Sequence, residues 1–222
     1  MNVLGNGIYR FAEAARLTGL NPRRVRAWFE GWTESGKVDG RGRVFLGSYP
    51  DERAISFLDL IEVCVAGHLR ERGFSLIAVR QAHSALASQL DDEHPFARQE
   101  IYTDGENLFV RVAQGAQDEM FEILQRQHVI PQVLLPYLQR VDYDPSSLRA
   151  RQWKIADGIV VDPARQFGKP IVATCSIPTA VLAASYAANN RDVDAVADWY
   201  GITPSDVEVA TKFESRYCGK AA

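Results

Sequence analysis

The sequence is poor in the residues that build metal sites and disulfide frameworks. Its 222 residues include three cysteines, Cys64, Cys175 and Cys218, and four histidines. An odd number of widely spaced cysteines without a CxxC pair is typical of reduced thiols and indicates a cytoplasmic protein. Because the histidines are scattered singly, we expect no metal site, no cofactor and no enzymatic activity.

Long hydrophobic stretches are also lacking. No run of 18 apolar residues occurs, which predicts no membrane span, and the N-terminus lacks the basic-then-apolar pattern of a signal peptide. Hydrophobic residues make up 46% of the chain and charged residues 24%. These fractions are ordinary for globular proteins and argue against a disordered, collagenous or coiled-coil chain.

The charge is unevenly distributed, although the formal net charge is only -3. Residues 1–53 contain nine Lys and Arg against six Asp and Glu, whereas the remainder contains 16 against 22. A basic N-terminal segment joined to an acidic body is typical of a DNA-reading head carried by a separate regulatory or interaction domain.

Residues 9–30 have the pattern of two short helices joined by a tight turn. The first segment is rich in helix formers and ends at Thr18 and Gly19, where glycine can adopt the left-handed conformation. Asn21 suits the N-cap of a second helix, and Pro22 suits its first residue. The sequence therefore predicts a helix-turn-helix, with the second helix running to about Trp32.

The second helix has an apolar stripe and a basic face. The stripe comprises Val25, Trp28, Phe29 and Trp32. Arg23, Arg24 and Arg26 lie off that stripe near the helix start, where a recognition helix meets the major groove. We therefore predict that these three arginines bind DNA. The alternative is a solvated amphipathic helix with incidental arginines.

Glycine-rich, basic residues follow the second helix. Residues 36–50 contain three early glycines and then the alternating segment VFLGSYP, which predicts a small hairpin wing. We expect its basic residues Lys37, Arg41 and Arg43 to contact DNA, with the arginines on flanking phosphates. A plain connecting hairpin is the alternative.

Two longer helices complete the N-terminal segment. Ser56 and Asp59 form a capping-box start, and Ser75 caps the next helix after Gly73.

The order YRFAEAARLTGLNPRRVRAWFE, basic wing and LRERGFSLIAVR over residues 8–90 resembles the MerR-type winged helix-turn-helix. That resemblance implies a homodimeric DNA-binding head. The helical pattern breaks at residues 91–95, so dimerisation through a long coiled-coil helix is not expected.

The chain divides into three predicted regions. Residues 1–92 form the winged helix-turn-helix, residues 93–150 a hairpin and helix region, and residues 151–222 a small helical, HTH-like domain with short strands. In the middle region, alternating apolar residues around Asp104 and Gly105 predict a hairpin over residues 99–112. The fold class we expect is mainly α with small β elements.

The last region contains short apolar strands followed by three helices. Its order of IVVDP, a GKP turn, a Pro-started helix, the acidic segment RDVDAVADWYGIT and a final helix is similar to VapB-type antitoxin domains. This resemblance covers residues 155–217 and implies a PIN-like toxin as partner. The arginine-bearing RGTR-like segment of that family is replaced here by residues 173–176, ATCS.

A nuclease is a poor alternative, because its carboxylates have simpler explanations. Asp192 and Asp206 suit helix starts, and Asp194 and Asp198 a solvated face. The sequence thus predicts an antitoxin that neutralises a PIN-like ribonuclease toxin and represses its own operon by binding operator DNA. The alternatives are a regulator whose C-terminal half senses a small molecule, and an interaction protein whose head does not bind DNA.

Overall fold

A computed structural model describes residues 5–31, 42–101 and 137–218 of the chain. It divides into two compact units, which we call the head unit (residues 9–150) and the C-terminal unit (residues 151–222 with residues 1–8). Helices outweigh strands in the described residues, and the sheets are small. The expectation of a mainly helical chain with small β elements is confirmed at this level.

The head unit is a set of helices with a short two-stranded ribbon. Its elements are β1 (Tyr9–Arg10), α1 (Phe11–Thr18), α2 (Pro22–Glu30), β2 (Ala54–Ile55), α3 (Phe57–Glu71), α4 (Leu76–Leu90) and β3 (Val141–Tyr143). Short 3-10 turns cover Pro50–Glu52 and Pro95–Ala97. β1 pairs antiparallel with β2, so that Tyr9 lies opposite Ile55.

The turn between α1 and α2 has the predicted local chemistry. Gly19 ends α1 in the left-handed conformation with φ +71°. The Asn21 side chain accepts a hydrogen bond from the Arg23 N–H at 2.9 Å. α2 ends at Glu30 rather than near Trp32, because Gly31 leaves the helix with φ +83°. Trp32 itself lies outside the described residues.

α3 is the central helix of the head unit. Its Ser56–Asp59 capping box is formed in both directions, as predicted. The predicted apolar side is buried, and it includes Leu60, Ile61, Cys64, Val65 and Leu69. Burial extends further than one stripe, because the carboxylates of Asp59 and Glu62 are also buried, each about 1% exposed.

The middle region departs from its prediction where it can be compared. Residues 99–101 are helical, which contradicts the first strand of the predicted hairpin. A short alternation of apolar and polar residues does not distinguish a strand from a helical turn that buries one residue, here Ile101. The rest of the predicted hairpin, with Asp104 and Gly105, lies outside the described residues.

The C-terminal unit combines an antiparallel sheet with three helices. Strands β4 (Ala150–Ala156), β5 (Ile159–Val161) and β6 (Pro170–Val172) are hydrogen-bonded in that order. They are followed by α5 (Thr179–Ala188), α6 (Val193–Tyr200) and α7 (Pro204–Cys218). Leu182, Val196 and Val207 are fully buried between these helices and the sheet. No described helix has the length and apolar character needed to cross a membrane.

The helix starts of the C-terminal unit account for two acidic residues of the predicted set. The Asp192 side chain accepts from the Ala195 N–H at 3.0 Å, as an N-cap. Asp206 accepts from the Thr203 N–H at 3.0 Å while Thr203 caps α7 in return. Asp194 and Asp198 are exposed. The carboxylates therefore have the capping and surface positions that their sequence context predicts.

Candidate nucleic-acid interface

α2 has one buried face and one exposed basic face. Val25, Trp28 and Phe29 are buried. The Trp28 ring packs edge-on against Phe45 with centroids 6.3 Å apart. By contrast, Arg23, Arg24 and Arg26 are all exposed. The bulky side chains thus fix the orientation of the helix, while its first two turns display arginine to solvent.

The three arginines of α2 differ in their electrostatic surroundings. Arg26 forms an ion pair with Glu30 one turn later, and Arg53 lies 3.7 Å from the same carboxylate. Arg23 and Arg24 form no ion pair with any residue in the described ranges. Their guanidinium groups can meet an anion without first giving up a carboxylate, whereas that of Arg26 cannot.

The described part of the predicted wing follows a different path from a hairpin. The N–H groups of Val44 and Phe45 both donate to the Trp28 carbonyl, at 2.7 and 3.1 Å. Within residues 42–49, only Tyr49 makes a ladder contact, an isolated bridge to Ala54. Arg43 is exposed, as its predicted role requires. Lys37 and Arg41 lie outside the described residues.

A cavity of about 390 Å³ lies behind this segment, inside the head unit. Its walls are formed by residues 43–48, by residues of α3 and α4, and by residues 93–94. Arg43 and Arg80 contribute positive charge to the walls, and Glu93 contributes negative charge. A cavity of this size is within the range of small-molecule sites.

Two buried carboxylates of α3 face this cavity. Asp59 Oδ2 accepts hydrogen bonds from the Ser48 and Ser56 N–H groups at 2.9 and 2.8 Å. Asp59 Oδ1 is buried and has no hydrogen-bond partner among the described residues. His94 Nδ1 lies 3.6 Å from this oxygen and 3.4 Å from Glu62 Oε2.

The other oxygen of Glu62 is held by the surrounding protein. His83 Nε2 lies 2.9 Å from Glu62 Oε1, and the Phe96 N–H donates to the same oxygen at 3.2 Å. Burial alone raises the pKa of Glu62, but the charges and hydrogen bonds of His83 and His94 outweigh it and lower this pKa below its usual value. The contacts with His83 and the Phe96 N–H fix the position of this carboxylate.

The turn that carries His94 is held by a buried acid. The His94 N–H donates to Asp92 Oδ1 at 2.9 Å, and Asp92 Oδ2 accepts from Arg98 and Arg149 at 3.0 and 2.8 Å. Burial raises the pKa of Asp92. The hydrogen bonds from Arg149, the His94 N–H and Arg98 lower this pKa by more, so the net shift is downward. This network positions His94 over α3.

The cluster of Asp59, Glu62 and His94 is not predicted by the sequence, which suggests no metal site. The sequence already explains Asp59 as a helix-capping residue. Glu62 and His94 are 32 residues apart, so no local spacing links them. The sequence signal that could have found them is a pair of carboxylates at i, i+3 inside an apolar helix, since unpaired buried acids are rare.

The C-terminal unit exposes large apolar side chains. Trp199 on α6 is 75% exposed and Phe167 is 62% exposed. Val181 on α5 and Tyr200 are exposed as well. Tryptophan and tyrosine are the side chains most enriched at the centres of protein interfaces. Among the large apolar side chains that the described part of this unit exposes, Trp199 is the most exposed.

Comparison with known proteins gives a family match and a similar fold. Residues 159–213 match a family described as "Protein of unknown function (DUF433)". No curated protein matches the chain. The fold is similar to the crystal structure of Rv2018 from Mycobacterium tuberculosis, with a TM-score of 0.72 and 22% identity over 91% of this chain and 96% of that one. At this identity the likeness concerns the fold alone.

Proposed function

We propose that the chain is a transcriptional regulator that also acts as an antitoxin. The observation that carries the DNA-binding part is the orientation of α2. Its apolar residues are buried, and Arg23 and Arg24 are exposed without ion pairs among the described residues. A short helix whose N-terminal half is basic and outward-facing fits the major groove. The resemblance of residues 8–90 to MerR-type heads supports the same reading.

As a homodimer, two heads would bind an inverted repeat in the chain's own operator. The half-sites would be one or more helical turns apart, roughly 34–36 Å per turn. If each protomer neutralises about four phosphates, log K falls against log salt with a slope of roughly -7. Arg43, Arg41 and Lys37 would supply part of this electrostatic contribution.

Gel-shift titration of the upstream DNA tests this part of the proposal. Replacing Arg23 or Arg24 with alanine is expected to weaken operator binding by about 1–3 kcal/mol each. Arg26→Ala is expected to cost less, since Arg26 already pairs with Glu30. Arg72→Ala, at an exposed arginine beyond the end of α3, is the charge-matched control. Unchanged affinity of the Arg23→Ala/Arg24→Ala double variant would remove α2 from the interface.

The antitoxin part rests on the similarity of residues 155–217 to VapB-type domains and on the exposure of Trp199. A PIN-like toxin would cover Trp199, which is otherwise left largely in water. Co-expression with the product of the neighbouring reading frame, followed by co-purification, tests this. Trp199→Ala should reduce capture of the toxin, whereas Ile77→Ala, at an apolar residue of the head that is 58% exposed, should not. Equal capture by both variants would contradict the assignment.

One observation favours a second function, a regulator that senses a small molecule. It is the cavity of about 390 Å³, which lies in the head unit and not in the C-terminal half where the sequence suggested it. A rise in melting temperature with a metabolite panel, removed by filling the cavity through Ala87→Phe, would support this function. Failure of the unmodified chain to bind its promoter at low salt would instead favour a pure interaction protein.

A further inference from the structure

Three potential metal ligands converge at the inner end of the head-unit cavity. They are Asp59 Oδ1, Glu62 Oε2 and His94 Nδ1, which all lie within 4.8 Å of one another. The two carboxylates come from one turn of α3, and the imidazole comes from the turn after α4. One nitrogen and two oxygens on a cavity wall form a donor set that proteins use for divalent metals.

Each carboxylate has one oxygen held by the surrounding protein, and its other oxygen faces His94 Nδ1. Asp59 Oδ2 accepts from the Ser48 and Ser56 N–H groups, and Glu62 Oε1 is held by His83 and the Phe96 N–H. Such outer contacts are what orient monodentate carboxylates in metal sites. Asp59 Oδ1 is more than nine-tenths buried and has no hydrogen-bond partner in the described residues.

A proton on His94 does not satisfy both acids. Its Nδ1 lies 3.4 Å from Glu62 Oε2 and 3.6 Å from Asp59 Oδ1, longer than the 2.7–3.2 Å of ordinary N–H···O hydrogen bonds. By contrast, ligands bound at about 2.1 Å lie roughly 3.4 Å apart around a tetrahedral ion. The two separations from His94 Nδ1 therefore match those between ligands of one cation, and the two carboxylate oxygens lie within 4.8 Å of each other.

We propose that Asp59, Glu62 and His94 bind a divalent first-row transition-metal ion whose remaining coordination positions face the cavity. The ligand set contains no thiolate, so zinc, manganese, iron or cobalt fits better than a soft ion. Arg43 and Arg80 on the same walls are partly offset by Glu93 and by the two buried acids. They would also suit an anionic group on an open position of the metal. This site goes beyond DNA binding and does not depend on it.

Metal binding is tested directly on the full chain, without DNA or toxin. The protein is stripped with a chelator and dialysed, and is then titrated with Zn²⁺, Mn²⁺ or Co²⁺ by calorimetry, with metal content measured by mass spectrometry. We expect one ion per chain. Bound Co²⁺ should give the visible d–d absorption of a nitrogen- and oxygen-ligated ion, without a thiolate charge-transfer band.

Variants then assign the ligands. His94→Gln and, separately, Glu62→Gln are expected to weaken metal binding by at least about tenfold, the lower end of losses seen for supporting contacts alone. His68→Gln, at a partly buried histidine of α3 outside the cluster, is the matched control and should bind like the unmodified chain. Both ligand variants should also lose the Co²⁺ absorption.

Two results would overturn the proposal. One is the absence of stoichiometric binding by the unmodified chain, a measurement that does not rely on any variant folding. The other is a Co²⁺ spectrum and affinity that are the same in His94→Gln and in the unmodified chain. Either outcome leaves the proposed DNA contact of α2 untouched, because that contact is measured separately with the Arg23 and Arg24 variants.

Discussion

Replacing Asp59 with alanine should destabilise the head unit far more than an ordinary helix-cap mutation. Asp59 closes the capping box of α3 and also accepts from the Ser48 N–H outside the helix. Its side chain is about 1% exposed. Removing it leaves the buried Ser56 N–H and the partly buried Ser48 N–H without their acceptor.

The magnitude follows from these contacts. Loss of a capping interaction costs about 0.5–2 kcal/mol. Leaving a buried donor such as the Ser56 N–H unsatisfied adds about 1–3 kcal/mol. The substitution also removes the cost of burying the Asp59 carboxylate beside that of Glu62, and this gain offsets part of the loss. We therefore expect Asp59→Ala to lower the free energy of unfolding by about 2–4 kcal/mol.

The chain offers a matched control at a second helix start. Asp206 occupies the same position in the capping box of α7 and also accepts from the Thr174 hydroxyl, but these bonds lie at solvent-exposed sites. Asp206→Ala should cost only about 0.5–1 kcal/mol, because water can replace the lost acceptor. Both variants are measured by urea denaturation with circular dichroism, in the presence of a chelator so that metal does not contribute.

Equal losses of stability from the two substitutions would contradict the assigned role of Asp59. A loss below about 1 kcal/mol for Asp59→Ala would mean that the Ser56 N–H finds another partner or water. Such a result would also weaken the view that Asp59 Oδ2 is fixed by the fold.

Further predictions concern burial, ionisation and thiol reactivity. Trp28→Ala should lower the free energy of unfolding by about 3–5 kcal/mol, because Trp28 is only 2% exposed. Trp199→Ala should change it by less than about 0.5 kcal/mol, because Trp199 is 75% exposed. Equal losses of stability in urea denaturation would contradict this prediction. NMR titration should give Asp144 a pKa of about 2, since Ser146 and Ser147 donate hydrogen bonds to its carboxylate. The stability that these hydrogen bonds contribute is fully present above the ordinary pKa of aspartate and is lost as the pH falls through about 2. In a native thiol-labelling assay read by peptide mass spectrometry, Cys64 should stay unmodified until denaturant is added, because it is buried and burial raises its pKa to about 12. Cys175, which is half-buried, should label before Cys64, and early labelling of Cys64 would refute its assigned burial.

The parts of the fold that the sequence predicts are those set by short-range chemistry. The left-handed Gly19, the Asn21 cap and the Ser56–Asp59 box each depend on contacts within three or four residues. The burial of Val25 and Trp28 follows from helical spacing in the same way. The prediction about α2 missed only its last turn, where Gly31 leaves the helix.

The parts that the sequence does not predict depend on distant residues. Glu62 looks like a surface acid on α3 until the turn holding His94 folds over it, positioned by Asp92 and Arg149, which are 57 residues apart. The path of Val44 and Phe45 is set by the Trp28 carbonyl and not by a strand partner. The spacing of Asp59 and Glu62 inside an apolar helix could have marked the two acids, but their partners are decided by tertiary packing.

The double acceptor role of the Trp28 carbonyl has a mechanical consequence. That one oxygen anchors both Val44 and Phe45, and these residues form a wall of the cavity. An occupant that pushed this wall outward would strain two hydrogen bonds that end on the last turns of α2. Filling of the cavity would then be coupled to the tilt of α2, the helix that carries Arg23 and Arg24.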